Sequence, residues 1–433
     1  MKILFAATPV PGHVNPLLSI VRAAVARGDE ALFATVEHLF PLVEAAGAQA
    51  IPFAPGADLD FRRMEELFPE RASLPPGPAV LRFNLERIFI DPMPAQAETL
   101  RQAIELHAPD VIVAGAFFFG ITPLLLDQRR PRPPIVACNV TFLSLDRPDG
   151  APIGLGLPPA RDSDERDRYA AIAAGVNAAV IHPVEEHFNR TLAAMDLSPP
   201  TPVSFWSSRV HLPDAFLQPG APEFEYDFGP LPPTVRFIGA FAPPSSLAPT
   251  PPSWWGELDG GRRVVLVTQG TVANANFGEL VEPAIAALAD RDDLLVIVTT
   301  GGRPVTDVKG PLPDNVRIAT FLDYEALLPR IDLLVTNGGY GSVSLALRAG
   351  VPIVAAGRTE DKAEVGARVA WSGVGVEIPS QTPDMAALRD AITQVLEAPR
   401  YREQARAMAV RFAELNAQQI ALEVIDGLVA GAS

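Results

Sequence analysis

A single cysteine, Cys138, stands in the whole chain. It leaves no internal disulfide to form and makes a cysteine-built metal site implausible, which fits a reducing compartment. Positive charge is also scarce: 35 Lys and Arg face 51 Asp and Glu, for a net charge of −16. A broad surface for nucleic acid or anionic lipid needs clustered cations, so neither partner is expected and any anionic ligand must be held locally. Nowhere is there the run of about 18 apolar residues that a membrane-spanning helix requires. The opening MKILFAATPVPGH offers one Lys and about six apolar residues before Pro9, fewer than the roughly 7–15 of a signal-peptide core. It reads as a strand, in a cytoplasmic protein.

What is present is a globular composition, 48% hydrophobic and 20% charged over 433 residues. Such a length favours two domains of roughly 200 residues over a single core. Short β-rich runs alternate with helical patterns from the first residue, the signature of βαβ units and parallel sheets. In the first half the strands are KILFAA, EALFAT, QAIPFA, DVIVAG and PIVACN, with amphipathic segments at 15–27 and 96–107 between them, and 165–195 reads as one or two helices. Residues 198–260 hold many of the 45 prolines, which suits an extended connection rather than sheet. From 263 the alternation restarts with RVVLVTQ, DLLVIVTT, VRIAT, DLLVTN, PIVAA and GVGVEI. The expected fold class is therefore α/β, with two doubly wound parallel-sheet domains facing each other across a cleft. The boundaries fall at 1–240 and 261–433, with a proline-rich linker at 241–260 and a last helix, about 412–431, long enough to reach beyond its own domain.

Chemistry concentrates in the loops that follow strands. In LLVTNGGYGSVSLALRAGVP, 333–352, Asn337, Gly338, Gly339, Gly341 and Ser342 lie between a strand and a helix. Glycines admit close approach of backbone to a ligand, and a helix N-terminus offers free N–H groups and a positive dipole end, together suited to phosphate. The loop VTQGTVAN, 267–274, adds Thr268, Gln269, Gly270 and Thr271 at another strand end. Either loop could be a plain packing turn; two of them suggest one diphosphate held between. His13, in PGHVNP at 11–16, is a candidate general base or part of an ordinary turn. FFFG at 117–120 could be core or an acceptor wall, since ligand pockets are mostly apolar. DSD at 162–164 and DRD at 290–292 imitate a metal clamp but lie in polar loops, and the other histidines have no metal-ligand spacing. Phe205 and Trp206, after the proline-rich turn, carry no assigned role.

Taken together, PGHVNP at 11–16, TQGT at 268–271, FLDYEALLP at 321–329 and NGGYGS…AGVP…EDK at 337–362 resemble the family 1 glycosyltransferases, across the whole chain. The resemblance implies the GT-B fold, with a lipophilic acceptor on the first domain and a nucleotide-diphosphate sugar on the second. It implies that Phe321 stacks on the base, that Gly338, Gly339, Gly341 and Ser342 line the pyrophosphate with Thr271 opposite, and that Asp361 holds sugar hydroxyls. His13 would then take the acceptor hydroxyl proton in an inverting transfer. Phe117, Phe118 and Phe119 would wall the acceptor, and no metal or other cofactor is expected, since amides and the helix dipole can stabilise the departing diphosphate.

Four positions depart from the family pattern. Asn337 replaces a common His and cannot act as a cation. Leu345 replaces a Glu that grips the ribose, which raises the odds of a dTDP-sugar over a UDP-sugar donor. Lys362 replaces a Gln and could meet a phosphate, pair with Asp361 or Glu364, or favour an unusual sugar. Gly115 stands where an Asp orients the histidine, so His13 works alone on an acidic hydroxyl, finds a carboxylate elsewhere, or catalyses weakly. The expected protein is an inverting glycosyltransferase acting on a small apolar acceptor of phenolic, flavonoid, polyketide or macrolide type. The alternative is a non-catalytic nucleotide-sugar-binding partner of such an enzyme.

Overall fold

The computed structural model describes residues 1–75, 77–200, 203–241, 250–271 and 273–432. Among the described residues thirteen strands form two sheets, and the strands within each sheet pair in parallel. The first sheet holds β1 (Lys2–Ala6), β2 (Glu30–Thr35), β3 (Gln49–Pro52), β4 (Val111–Gly115), β5 (Ile135–Cys138), β6 (Ala215–Pro219) and β7 (Val235–Gly239), in the order β3-β2-β1-β4-β5-β6-β7. The second holds β8 (Arg263–Thr268), β9 (Leu294–Thr299), β10 (Val316–Ala319), β11 (Leu333–Thr336), β12 (Ile353–Ala356) and β13 (Gly375–Ile378), in the order β10-β9-β8-β11-β12-β13. The central strands are buried on both faces, as parallel sheets covered by helices must be, which is why they read as continuous apolar runs.

Two strands correct the sequence reading. The proline-rich stretch expected to be extended connection contains β6 and β7. Proline removes only its own N–H donor, and Pro219 ends β6 while Pro232 and Pro233 precede β7, so the two strands still pair in parallel, with the register shifting only between Gln218 and Pro219. Of the linker expected at 241–260, residues 242–249 lie outside the described residues. The terminal helical stretch is two helices, Pro399–Ala413 and Ala417–Ala432. The last of these sets Ala417, Ala421 and Ile425 into the core of the first sheet, and its Asp426 pairs with Arg27. No helix among the described residues is long and apolar enough to cross a membrane.

The two halves meet through buried polar contacts. Arg368, on the helix Lys362–Trp371, is 1% exposed and its guanidinium donates to Glu225 and Glu364, each at 2.7 Å. Glu225 follows β6 and also accepts from the Leu143 amide, while Glu364 accepts from the amides of Gly154 and Gly156 in the first half. The same guanidinium lies over Phe142 and Tyr226, at 4.6 and 4.2 Å from the ring centroids. Burial alone would lower its affinity for the proton, but Glu225 and Glu364 raise it, while burial pushes the Glu225 carboxyl upward. Nearby, the Tyr340 hydroxyl donates to the Pro219 carbonyl at 2.8 Å. Gly220 makes room for it: φ is +93° and a Cβ would fall 2.3 Å from that hydroxyl oxygen.

Removing one partner of a buried ion pair leaves uncompensated charge, so Arg368→Met should cost about 3–5 kcal/mol of stability. Urea unfolding measures it; a midpoint corresponding to a loss within about 0.5 kcal/mol, the range of ordinary surface changes, would rule out this cluster as a main joint between the halves.

Candidate active site

Strand order reverses beside β1 in the first sheet and beside β8 in the second. In an open parallel sheet, the loops leaving the two strands that flank such a reversal part in opposite directions and open a crevice at the carboxyl ends. Those loops are the four singled out in the sequence. His13 follows β1, the FFFG run follows β4, TQGT follows β8 and NGGYGS follows β11.

The helix Pro11–Arg27 begins with Pro at its first position, where the missing N–H costs nothing, and ends at Gly28 in the left-handed conformation. His13 thus sits in the first turn. Its ring is edge-on to Phe117, with centroids 5.6 Å apart, and 6.1 Å from Phe89. Nδ1 is buried and has no hydrogen-bond partner. Burial lowers the imidazole to about 4, and no carboxylate among the described residues acts to raise it. Gly115, at the buried end of β4, leaves ordinary contact room, since a Cβ there would lie 3.7 Å from that of Ala7. Of the outcomes left open for the missing acid, a carboxylate supplied from elsewhere does not occur among the described residues.

The three phenylalanines divide. Phe117 is half-buried against His13, Phe89 and Trp206. Phe118 stacks on Phe53 in the main core, and Phe119 stacks on Phe205 in a side cluster with Phe188, both fully covered. Behind Phe117 lies a residue that sequence reasoning passed over. Arg209 is 7% exposed, and its guanidinium carbon sits 4.2 Å from the Phe117 centroid and 4.3 Å from that of Trp206. Its Nε donates to the Trp206 carbonyl at 3.2 Å, but Nη2 is buried without a partner, as is the Trp206 indole Nε1. Burial draws the guanidinium down to about 9 with no carboxylate opposing it, so it remains a cation at neutral pH. The only sequence signal was the spacing of Trp206 and Arg209, three apart on the short helix Phe205–His211.

On the second sheet, Asn337 donates from its amide to the Gln269 carbonyl at 2.8 Å and to that of Ala273 at 3.4 Å. It therefore ties the two glycine loops to each other. The Gln269 side chain accepts from the Val281 amide and donates to the Asn276 carbonyl, and Thr268 accepts from the Thr299 hydroxyl and the Gly270 amide. Both side chains are buried in shaping the loop, whereas Thr271 is exposed. Gly270 and Gly338 have φ of +70° and +93°. Gly339 caps the helix Tyr340–Arg348, whose first turn has no acidic residue. A Cβ at Gly341 would meet nothing within 4 Å, so there is open space beside this turn, whose first amides lack intrahelical partners. Phe321 is 52% exposed and lies over Gly302, free to stack.

Asp361 and Lys362 face the same region. The Thr141 hydroxyl, from the first half, donates to the Asp361 carboxylate at 2.6 Å, and burial raises that carboxyl. Lys362 is buried and pairs with Glu360 rather than with Asp361 or Glu364. Glu360 has φ of +50°, an uncommon conformation for a residue with a side chain. Leu345 packs against the second core and offers no polar atom.

Residues 283–430 match the family described as Erythromycin biosynthesis protein CIII-like, C-terminal domain. The 4'-demethylrebeccamycin synthase of Lentzea aerocolonigenes is 38% identical over 428 residues, covering 99% of both chains. UDP-glycosyltransferase 2 of Phaeomoniella chlamydospora is 35% identical over 443 residues, covering 99% of this chain and 96% of its own. Among solved structures, the calicheamicin glycosyltransferase CalG4 superposes with a TM-score of 0.73 at 20% identity, covering 99% of this chain and 98% of its own. The spinosyn rhamnosyltransferase SpnG complexed with thymidine diphosphate reaches a TM-score of 0.65 at 20% identity, over 98% of this chain and all of its own.

The environment of His13 sets its pH response. Its ring nitrogen resonances should titrate with a midpoint near 4; a midpoint of 6 or above would reveal a partner that raises it. Because the unfolded chain binds this proton first, His13 lowers stability progressively as pH falls from about 6.5 to about 4, and not below. His13→Phe should flatten that part of the stability curve.

Proposed function

The chain belongs to the family 1 glycosyltransferases of GT-B fold, and on that premise we propose that it transfers a hexose or deoxyhexose from UDP or dTDP to a hydroxyl of a small apolar natural product. The observation that carries the reading is the placement of His13 and the glycine loops at the two strand-order reversals. The acceptor oxygen attacks the anomeric carbon and gives its proton to His13, while the bond from that carbon to the diphosphate oxygen breaks on the opposite face. Configuration is inverted. Amides at the start of the helix Tyr340–Arg348 stabilise the departing diphosphate, so the step calls for no metal. Phe321 stacks on the base and Asp361 holds sugar hydroxyls once Thr141 releases it.

A base held at about 4 is neutral at working pH but has little drive to take a proton from an ordinary alcohol. Acidic hydroxyls, such as those of phenols, suit it best. The loss of a ribose-gripping carboxylate at Leu345 favours a deoxyribose nucleotide. A non-catalytic partner protein is the weaker reading, since relatives that align over nearly the whole chain carry the names of transferases and a synthase.

Incubation with UDP- and dTDP-sugars and a panel of phenolic and macrolide acceptors should yield a product one glycosyl unit heavier. His13→Ala should lower kcat/KM by about 10²–10⁴-fold, the usual contribution of a positioned base; equal activity would remove His13 from the mechanism. In calorimetric titrations dTDP should bind more tightly than UDP, and Asn337→Ala, which unties the two loops, should weaken both. UDP binding at least as tight as dTDP would overturn the donor preference.

A further inference from the structure

Three buried polar atoms without partners gather around one ring. His13 Nδ1, Trp206 Nε1 and Arg209 Nη2 belong to side chains that each contact Phe117. Orphaned buried donors are uncommon, and a buried cation without a counter-ion is rarer still. The same protein buries a second arginine, Arg368, and gives that one two carboxylates. Arg209 has none among the described residues: the aromatic faces of Phe117 and Trp206 offset part of its lost hydration, and its guanidinium donates to the carbonyl of Trp206. The screen in front of it is thin, since Phe117 and Trp206 are themselves only half-buried.

We infer that Arg209 and Trp206 form an acceptor subsite for a carboxylate, and that the preferred acceptor is an aromatic hydroxyl compound bearing one. The inference rests on the glycosyl-transfer reading and specifies its substrate class. The chemistry of the donor pair selects this group. A guanidinium edge matches a carboxylate in geometry and charge, and the indole N–H supplies a second donor beside it. Phe117, between the cation and His13, offers a face on which the ring of the acceptor can pack, so the carboxylate and the reacting hydroxyl lie at opposite ends of one planar molecule. The carboxylate fills the role that Glu225 and Glu364 fill for Arg368. It also fixes the hydroxyl beside an imidazole that lacks an orienting acid, so that positioning offsets part of what the missing acid would have contributed.

The test compares a hydroxynaphthoic acid with its methyl ester as acceptors. Wild type should favour the acid by at least about tenfold in kcat/KM, a typical size for one charge-assisted contact. Arg209→Met should collapse that ratio towards one, chiefly through KM for the acid, and Arg209→Lys should restore part of it. Quenching of tryptophan fluorescence reads binding of the two compounds without any transfer. A protein that binds the acid over the ester through Arg209 but forms no product would sustain the subsite and sink the transferase reading. Equal use and equal binding of acid and ester by wild type would overturn the subsite. So would an Arg209→Met variant, folded by circular dichroism, that keeps the ratio. If Arg209→Met does not fold, the ratio in Arg209→Lys and in Trp206→Phe decides the matter, since the latter removes only the indole donor.

Discussion

The site depends on one constraint: a parallel sheet can receive a ligand in the crevice at its edge of carboxyl ends where the chain stops winding one way and starts winding the other. In this protein that place falls beside β1 and again beside β8, and each sheet contributes the two loops that flank it. The chemistry-bearing residues are scattered over more than three hundred positions, from His13 to Asp361, yet they need no special folding to meet. His13, Phe117 and the two glycine loops each leave the carboxyl end of a strand that flanks one of the two reversals, so topology alone places them at those ends.

How the reversals come to face each other is a matter of buried polar contacts. Arg368 with its two carboxylates, Tyr340 on Pro219 and Thr141 on Asp361 all cross between the halves. The final helix closes the arrangement by placing Ala417, Ala421 and Ile425 in the first core. Such contacts are directional, and each has its donors and acceptors matched, so they set an orientation as well as an attraction. The Thr141 contact differs from the others because it engages the residue proposed to hold the sugar. In the proposed role of Asp361, a donor sugar competes with this contact, which would couple occupancy of the site to the join between the halves.

Much of this was legible in the residues. Every strand of the second sheet announced itself as an apolar run, and the loops TQGT and NGGYGS stood out because two glycine-bearing turns follow strands of the same sheet. Two strands of the first sheet were missed, since β6 and β7 are fenced by prolines that argue for open chain; their pairing depends on neighbours far away in sequence. The FFFG run could not be divided from its order alone. Successive residues in a loop point in different directions, and only packing assigned Phe117 to the cleft and Phe118 and Phe119 to two different cores.

By itself, then, the amino-acid order determined the α/β fold class, the two-domain alternation and the strands of the second sheet, because these follow from local composition and spacing, while the lack of an acid at Gly115 was visible only through the family resemblance. The tertiary structure alone decided that no other carboxylate among the described residues reaches His13, that Asn337 joins the two loops, that Lys362 turns to Glu360, and that Arg209 lies behind Phe117 without a carboxylate among the described residues. Each of these is a statement about what is or is not within a few ångströms of a charged or polar atom. Electrostatic and hydrogen-bond energies depend steeply on that distance and on the exclusion of water, and neither is written in the order of residues along a chain.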